Sequence, residues 1–155
     1  MDTEYFAQRL QQCSRTEKQE SMKVVQDLLA IAFYAREHTL VELDKYVRNP
    51  ANGLTDPYLQ KAVACLIDLP NADLIKKVLE NYMISGNYTG QLFLKSLLIS
   101  ETMQALSRKD DIDHIFSFLI PSLCGLEFEQ TIEVMYRDYI KNRGFRAAAE
   151  SAEEN

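Results

Sequence analysis

The chain has 155 residues, of which 46% are hydrophobic and 26% charged, and it carries a net charge of −6 at neutral pH. A chain of this length buries roughly 68 to 70% of its unfolded surface in one core, and this composition lies outside the disordered class. The acidic balance disfavours nucleic acid and anionic membranes as partners, and it favours a basic or mixed-charge protein.

The first predicted helix spans residues 15–37. Ser14-x-x-Glu17 is a capping-box pattern, and the apolar residues that follow recur at helical spacing around much of the circumference, as in a central helix. A second capping-box pattern at Thr39 begins a shorter helix. That helix ends before Pro50, because the residue that precedes a proline is disfavoured in the helical conformation.

Three more helices are predicted in the middle of the chain. Asp56 precedes Pro57, which suits the first position of a helix, and this helix stops at Pro70. Asn71 can cap the next helix, whose apolar residues repeat every three or four positions. A glycine-containing joint then leads into another largely apolar helix.

The joint reads ISGNYTGQ and raises the question of a phosphate-binding loop. A P-loop requires the pattern G-x-x-x-x-G-K-[ST] after a buried strand. Gly86 and Gly90 are too close together for that pattern, Gln91 stands at the lysine position, and a helix precedes the loop. The spacing predicts a turn between two packed helices instead, with Asn87 or Thr89 capping the second.

The last third of the chain is predicted to hold a short helix capped by Asp110 and ending at Pro121, and a final helix over residues 126–142 with Gly144 after its end. No stretch alternates as a half-buried strand would. We therefore predict an all-α fold, either a single compact bundle of about seven helices or an irregular array of helical hairpins.

The predicted organisation is one helical domain over residues 1–144 and a flexible acidic tail over 145–155, which lacks large apolar residues from Arg146 onward. The first residues contain no signal-peptide core, and no apolar run reaches the roughly 20 residues of a membrane span. We expect a soluble, cytoplasmic protein without membrane insertion. The cysteines, which lack a C-x-x-C spacing, predict buried free thiols; they are Cys13, Cys65 and Cys124.

No catalytic, metal or cofactor signature accompanies the helices. His38 and His114 each have one carboxylate at helical spacing, fewer ligands than a metal site needs. Asp110, Asp111 and Asp113 are typical of a first helical turn, where the helix dipole favours carboxylates. We predict no enzyme activity, no cofactor and no metal. An enzyme stays a third option, because catalytic groups can meet only in the fold.

Residues 36–50 read REHTLVELDKYVRNP, with Arg36, Leu43, Asp44 and Asn49-Pro50 in ungapped order. This stretch resembles the cytoplasmic loop of the MotA family, the ion-channel stator proteins of the bacterial flagellar motor. The following DPYLQKAVACLIDLPNADLIKKVLE is similar to that family's Asp-Pro-aromatic-Leu start and its next helix, and MISGNYTG is similar to its Ser-Gly turn.

The resemblance covers about residues 25–105. It implies that Arg36 and Asp44 project charges toward the rotor's switch ring, as the matching residues of such a stator do. The chain departs from the family in three respects. It lacks the four membrane helices and so is not expected to conduct ions, Thr39 stands where the family often has glycine, and residues 107–155 match no part of it.

The leading hypothesis is a soluble, non-enzymatic protein-interaction domain that docks a motor or rotor component through a charged helical surface. The predicted partner-binding residues are Arg36, Asp44, Lys45, Arg48, Lys76 and Lys77. The alternative is a general helical adaptor or regulator, self-associating and unrelated to motility. A purely structural interpretation also stays open, because Asp44 and Arg48 form an acid-to-base pair at i,i+4 that is common on solvated helices. The partner and the oligomeric state are not predicted.

Overall fold

The computed structural model describes the backbone of residues 3–154 and the side chains of residues 3–144. Between residues 3 and 154 the regular structure is entirely helical, so the predicted all-α class is confirmed, and the number of helices is close to the predicted one. In chain order the elements are α1 (Thr3–Leu10), α2 (Arg15–Glu20), α3 (Met22–Glu37), α4 (Leu40–Arg48), a 3₁₀ turn (Pro50–Asn52), α5 (Pro57–Asp68), α6 (Ala72–Ser85), α7 (Gly90–Ser107), α8 (Ile112–His114), a π-helical segment (Ile115–Leu119), α9 (Ile120–Cys124), a second 3₁₀ turn (Leu126–Phe128) and α10 (Glu129–Glu154).

Helix α7 lies at the centre of the hydrophobic core. Its side chains are buried around the whole circumference, Phe93, Leu97 and Met103 among them, and α1, α2, α3, α5, α6 and α9 all pack against it. The sequence predicts this central place for the helix over residues 15–37. Helix α3, the longer part of that predicted helix, packs against α7 and also against α4 and α10. Within the described part of the chain, no helix is both long enough and apolar enough to cross a bilayer.

The predicted helix over residues 15–37 is divided at Ser21 into α2 and α3. Its capping box is confirmed: the Glu17 backbone N–H donates to Ser14 Oγ at 3.1 Å, and the Ser14 N–H donates to Glu17 Oε1 at 3.2 Å. The Ser21 hydroxyl donates to the Glu17 carbonyl at 2.8 Å. A serine bonded in this way to the carbonyl four residues earlier bends a helix, which explains the division.

The predicted caps of the middle helices are confirmed. Thr39 Oγ1 accepts from the Glu42 N–H at 3.2 Å and begins α4. Asp56 Oδ1 accepts from the Tyr58 N–H at 2.9 Å and begins α5, and Asn71 begins α6 in the same way. Each cap satisfies a backbone donor that the helix itself leaves without a partner, so these boundaries follow from local sequence.

The joint before α7 is a turn between packed helices, as predicted. The side-chain cap predicted for α7 at Asn87 or Thr89 does not form. Thr89 occupies the cap position without a side-chain hydrogen bond to the helix, and Asn87 Oδ1 accepts from Arg9 Nη1 at 2.6 Å. Gly90 has a φ of +58°, and a Cβ built on it would lie 3.3 Å from the Gln12 carbonyl oxygen. Helix α1, which has no counterpart in the predicted elements, therefore packs against the joint.

The helix predicted to end at Pro121 continues through it. Asp111, rather than Asp110, caps α8, and the chain stays helical from Ile112 to Cys124. In an α-helix the proline ring would clash with the carbonyl four residues earlier. The π-helical segment directly before Pro121 widens the helix at that point and removes the clash. The helix ends at Gly125, whose φ is +112°.

The final helix is longer than predicted. Helix α10 passes through Gly144 instead of ending at Asn142, and its backbone is helical to Glu154. The flexibility predicted for the acidic tail over residues 145–155 stays a prediction, because its side chains and Asn155 lie outside the described residues. Two predicted free thiols, Cys65 and Cys124, are buried in the core, and Cys13 is half-buried.

Candidate partner-binding surface

The candidate surface is built on α4, whose two faces differ in character. Leu43 and Val47 are buried against α3 and α5, while Asp44, Lys45 and Arg48 lie on the outer side. Buried residues four apart fix the rotation of a short helix about its axis. The burial of Leu43 and Val47 therefore presents the charged residues to solvent.

Asp44 and Arg48 form an ion pair on this surface. Arg48 Nε donates to Asp44 Oδ1 at 2.8 Å, and the side chains of Arg48 and Asp44 are 72% and 40% exposed, respectively. A pair this exposed stabilises a helix by only about 0.3 to 0.5 kcal/mol. Both groups therefore remain available to a second charged molecule at little cost in folding free energy.

A concavity of about 420 Å³ lies between α4 and α5, beside this ion pair. Gln60, one of its lining residues, joins the two helices: its Nε2 donates to the Val47 carbonyl at 2.8 Å. Lys61 also lines it and is exposed. Its other lining residues are Asp44, Arg48, Pro57, Val63 and Ala64. A lining that combines apolar and charged side chains is typical of a protein interface.

Three stacked aromatic rings hold α4 against α3. The Tyr34 ring lies between those of His38 and Tyr46, with centroid distances of 3.8 and 4.2 Å. Partial burial raises the pKa of Tyr46, and the nearby Tyr34 and Asp27 raise it further. The stack fixes the position of the charged segment relative to the core. It also accounts for His38, whose Nδ1 lies 3.1 Å from the Tyr34 carbonyl oxygen.

The exposed face of α4 with Asp44, Lys45 and Arg48, together with the adjoining concavity, is called the α4 surface below. Arg36 lies apart from it. It is half-buried on α3, and its Nη2 donates to the carbonyl oxygen of Asp110, in the connection between α7 and α8. Asp110 also accepts from Arg108 Nε at 3.1 Å through its carboxylate. Arg36 therefore joins two distant parts of the chain, a role that the resemblance gave no reason to expect.

Lys76 and Lys77 lie on α6, which packs against α5 and α7, whereas α4 packs against α3 and α5. Lys76 is half-buried near Glu101 of α7. Burial raises the pKa of Glu101, and the charge of Lys76 lowers it. Lys77 is exposed. Of the predicted partner-binding residues, Asp44, Lys45 and Arg48 thus share one helix face, and the others lie on different helices.

Sequence reasoning missed Gln60 and Lys61 as parts of this surface. They are neighbouring polar residues of α5, so their position off the buried face of that helix was predictable. Whether this part of α5 lies next to α4 depends on how the two helices pack. The spacing of residues within either helix does not predict that packing.

Metal ligands do not gather in the described residues: no group of three or more His, Cys, Asp or Glu side chains there could hold an ion. His114 is exposed on α8, and its ring contacts the edge of Phe118 at a centroid distance of 6.3 Å. Neither His38 nor His114 therefore belongs to a group of this kind among the described residues.

Comparison with known proteins found no matching family model, curated protein or solved structure. The similarity to the MotA family therefore depends on the matching segments within residues 25–105 alone, and the function that it implies is a hypothesis.

Proposed function

We propose that this chain is a non-enzymatic protein-interaction domain of the flagellar-motor type, which docks a helix of a rotor component on the α4 surface. The observation that carries the proposal is the exposed face with Asp44, Lys45 and Arg48 beside the α4–α5 concavity. The predicted cytoplasmic location is part of the same proposal.

The chemistry of the surface favours a helix that carries charges of both signs. The ion pair between Asp44 and Arg48 offers a carboxylate and a guanidinium side by side, and Lys45 and Lys61 add positive charge around it. An apolar side chain of the partner would enter the concavity between α4 and α5. Interface charges of this kind chiefly set partner choice and association rate.

The resemblance supports Asp44 as the residue that faces the rotor, since it matches the acidic residue of the stator loop. The matching arginine, Arg36, donates to the Asp110 carbonyl. We therefore assign direct contact to Asp44, Lys45, Arg48 and Lys61, and we assign to Arg36 the positioning of the α7–α8 connection.

The test is a titration of purified rotor switch proteins against the chain at two ionic strengths. We expect Arg48→Glu to weaken binding at least about tenfold, or 1.4 kcal/mol. The double variant Asp44→Arg with Arg48→Asp keeps an ion pair on the helix but exchanges its ends, and it should also weaken binding. Raising the salt concentration should weaken the wild-type complex.

The matched control is Arg137→Glu on α10. Arg137 forms an equally exposed i,i+4 pair with Glu133 at 3.1 Å, far along the chain from α4. It should leave binding unchanged. If neither α4 variant weakens rotor binding, the assigned surface is rejected. Light scattering that shows self-association without rotor binding would favour the adaptor alternative.

A further inference from the structure

A second cavity, of about 210 Å³, lies where α2, α3, the loop before α5, and α7 meet. Its apolar wall comes from Val24, Leu59 and Ile99. Its polar lining consists of Glu20, Lys23, Asp27, Gly53, Thr55, Asp56 and Lys95. It does not include any residue of the α4 surface, so an inference from it is independent of the proposed function.

Asp27 is a half-buried carboxylate in the lining of this cavity. Its side chain is only 24% exposed, and its ion-pair partner Lys23 lies 3.6 Å away with a side chain that is 73% exposed. Burial raises the pKa of Asp27; Lys23 lowers it, and the charge of Asp56 raises it again. A cation bound between Asp27 and Asp56 would offset both the burial and the repulsion.

Lys95, on α7, supplies a positive charge to the same cavity. It is half-buried on α7, and in the part of the chain that the structure describes no carboxylate forms an ion pair with it. Glu20, at the edge of the cavity, already accepts from Gln91 Nε2 at 3.0 Å. The cavity thus has in its lining a half-buried carboxylate and, among the described residues, an ammonium without an ion pair.

We propose that this cavity binds a small zwitterion, with its ammonium group at Asp27 and Asp56 and its carboxylate at Lys95. The hydrocarbon between the two charged ends would lie on Leu59 and Ile99. At about 30 Å³ for each water molecule, the cavity has room for about seven non-hydrogen atoms. This is the size of 4-aminobutanoate, whose ammonium and carboxylate stand at opposite ends of a chain of three methylene groups.

The test uses three probes of one carbon skeleton: 4-aminobutanoate, which carries both charges, butylamine, which carries only the positive one, and butanoate. Amide chemical shifts of Gly53, Thr55 and Ile99 report on the cavity. We expect 4-aminobutanoate to shift these amides with a Kd of about 1 mM or tighter. Each singly charged probe should bind at least about tenfold more weakly, because one protein charge stays unpaired.

Two variants of nearly unchanged shape remove one protein charge each. Asp27→Asn and Lys95→Met should each weaken binding of 4-aminobutanoate at least about tenfold. The matched controls are Asp138→Asn and Lys109→Met, which change exposed residues that do not line the cavity and should leave binding unchanged. Because two independent variants are used, a folding defect in one leaves the other to decide.

Three results would overturn the proposal. The first is the absence of any shift at Gly53, Thr55 and Ile99 with 4-aminobutanoate. The second is equal affinity for butylamine, which would exclude a role for Lys95. The third is binding that survives both Asp27→Asn and Lys95→Met. None of these results affects the α4 surface, and loss of rotor binding would leave this cavity unaffected.

Discussion

The guanidinium of Arg143 lies 4.4 Å from the centre of the Phe33 ring, and it forms an ion pair with Glu37. Phe33 also packs against Tyr139 and Tyr136 at centroid distances of 5.3 and 6.4 Å. Residues more than a hundred positions apart thus hold α10 against α3. Helix α3 directly precedes α4, the helix that carries the α4 surface.

Replacing Arg143 with methionine should loosen the packing of α10 on α3. The variant loses both the contact with the ring and the ion pair, each of which is worth about 0.5 to 1 kcal/mol at a partly exposed site. We expect the free energy of unfolding to fall by about 1 kcal/mol, measured by urea denaturation. Amides near Tyr139 should exchange hydrogen faster. Arg137→Met, which removes only a pair within α10, should change neither measurement by more than about 0.5 kcal/mol.

Gly90→Ala should destabilise the protein. Its φ of +58° is strained for a residue with a side chain, and the new Cβ would press on the Gln12 carbonyl oxygen. The conformational term alone amounts to about 1 to 2 kcal/mol. Thermal or urea unfolding measures the loss, and a variant as stable as the wild type would contradict the left-handed backbone at this position.

Gly144→Ala should have the opposite effect. Gly144 lies inside α10, and a Cβ built on it meets no atom within 4 Å. Alanine favours a helix over glycine by about 0.5 to 1 kcal/mol. We expect the same unfolding measurement to show a gain of this size if α10 is helical beyond this residue. A loss would indicate that the helix ends at Gly144, as the sequence pattern predicts.

Arg36→Met should lower stability more than Arg48→Met. Removing the Arg36 guanidinium leaves the half-buried Asp110 carbonyl without that donor, which costs about 1 to 3 kcal/mol. Arg48 loses only an exposed ion pair, worth about 0.5 kcal/mol or less. Urea denaturation of both variants tests the difference. Equal effects would contradict the positioning role of Arg36.

Asp27→Asn should stabilise the unliganded protein at neutral pH. Burial raises the pKa of Asp27 above its ordinary value of 3.8, so the folded state holds the proton more tightly than the unfolded state does. The wild type therefore loses stability as the pH rises from that value through the folded pKa, and the asparagine variant does not. The gain should vanish at pH values below about 3.8.

Unfolding curves of wild type and Asp27→Asn at several pH values measure this difference. Lys23→Met is the companion variant. The positive charge of Lys23 lowers the pKa of Asp27, so its removal should raise that pKa and deepen the loss of stability at neutral pH. A stability difference that does not vary with pH would show that Asp27 titrates alike in both states.

The helix boundaries could be predicted where a cap forms between close neighbours. Ser14, Thr39, Asp56 and Asn71 each accept from a backbone N–H two or three residues later. The effect of Pro121 could not be predicted, because it depends on residues that are not close neighbours in the chain. It depends on whether the preceding turn widens into a π-helical segment, and this depends on packing against α10 and α7.

The amino-acid sequence by itself determined that the protein is helical and where most helices begin, because caps and apolar periodicity act over a few residues. Only the tertiary structure decided that Arg36 turns toward Asp110, that Lys61 joins Asp44 and Arg48, and that Asp27 and Lys95 line one cavity. Those relationships join residues far apart in the chain. They arise from the way the helices pack on α7, and no local pattern contains that information.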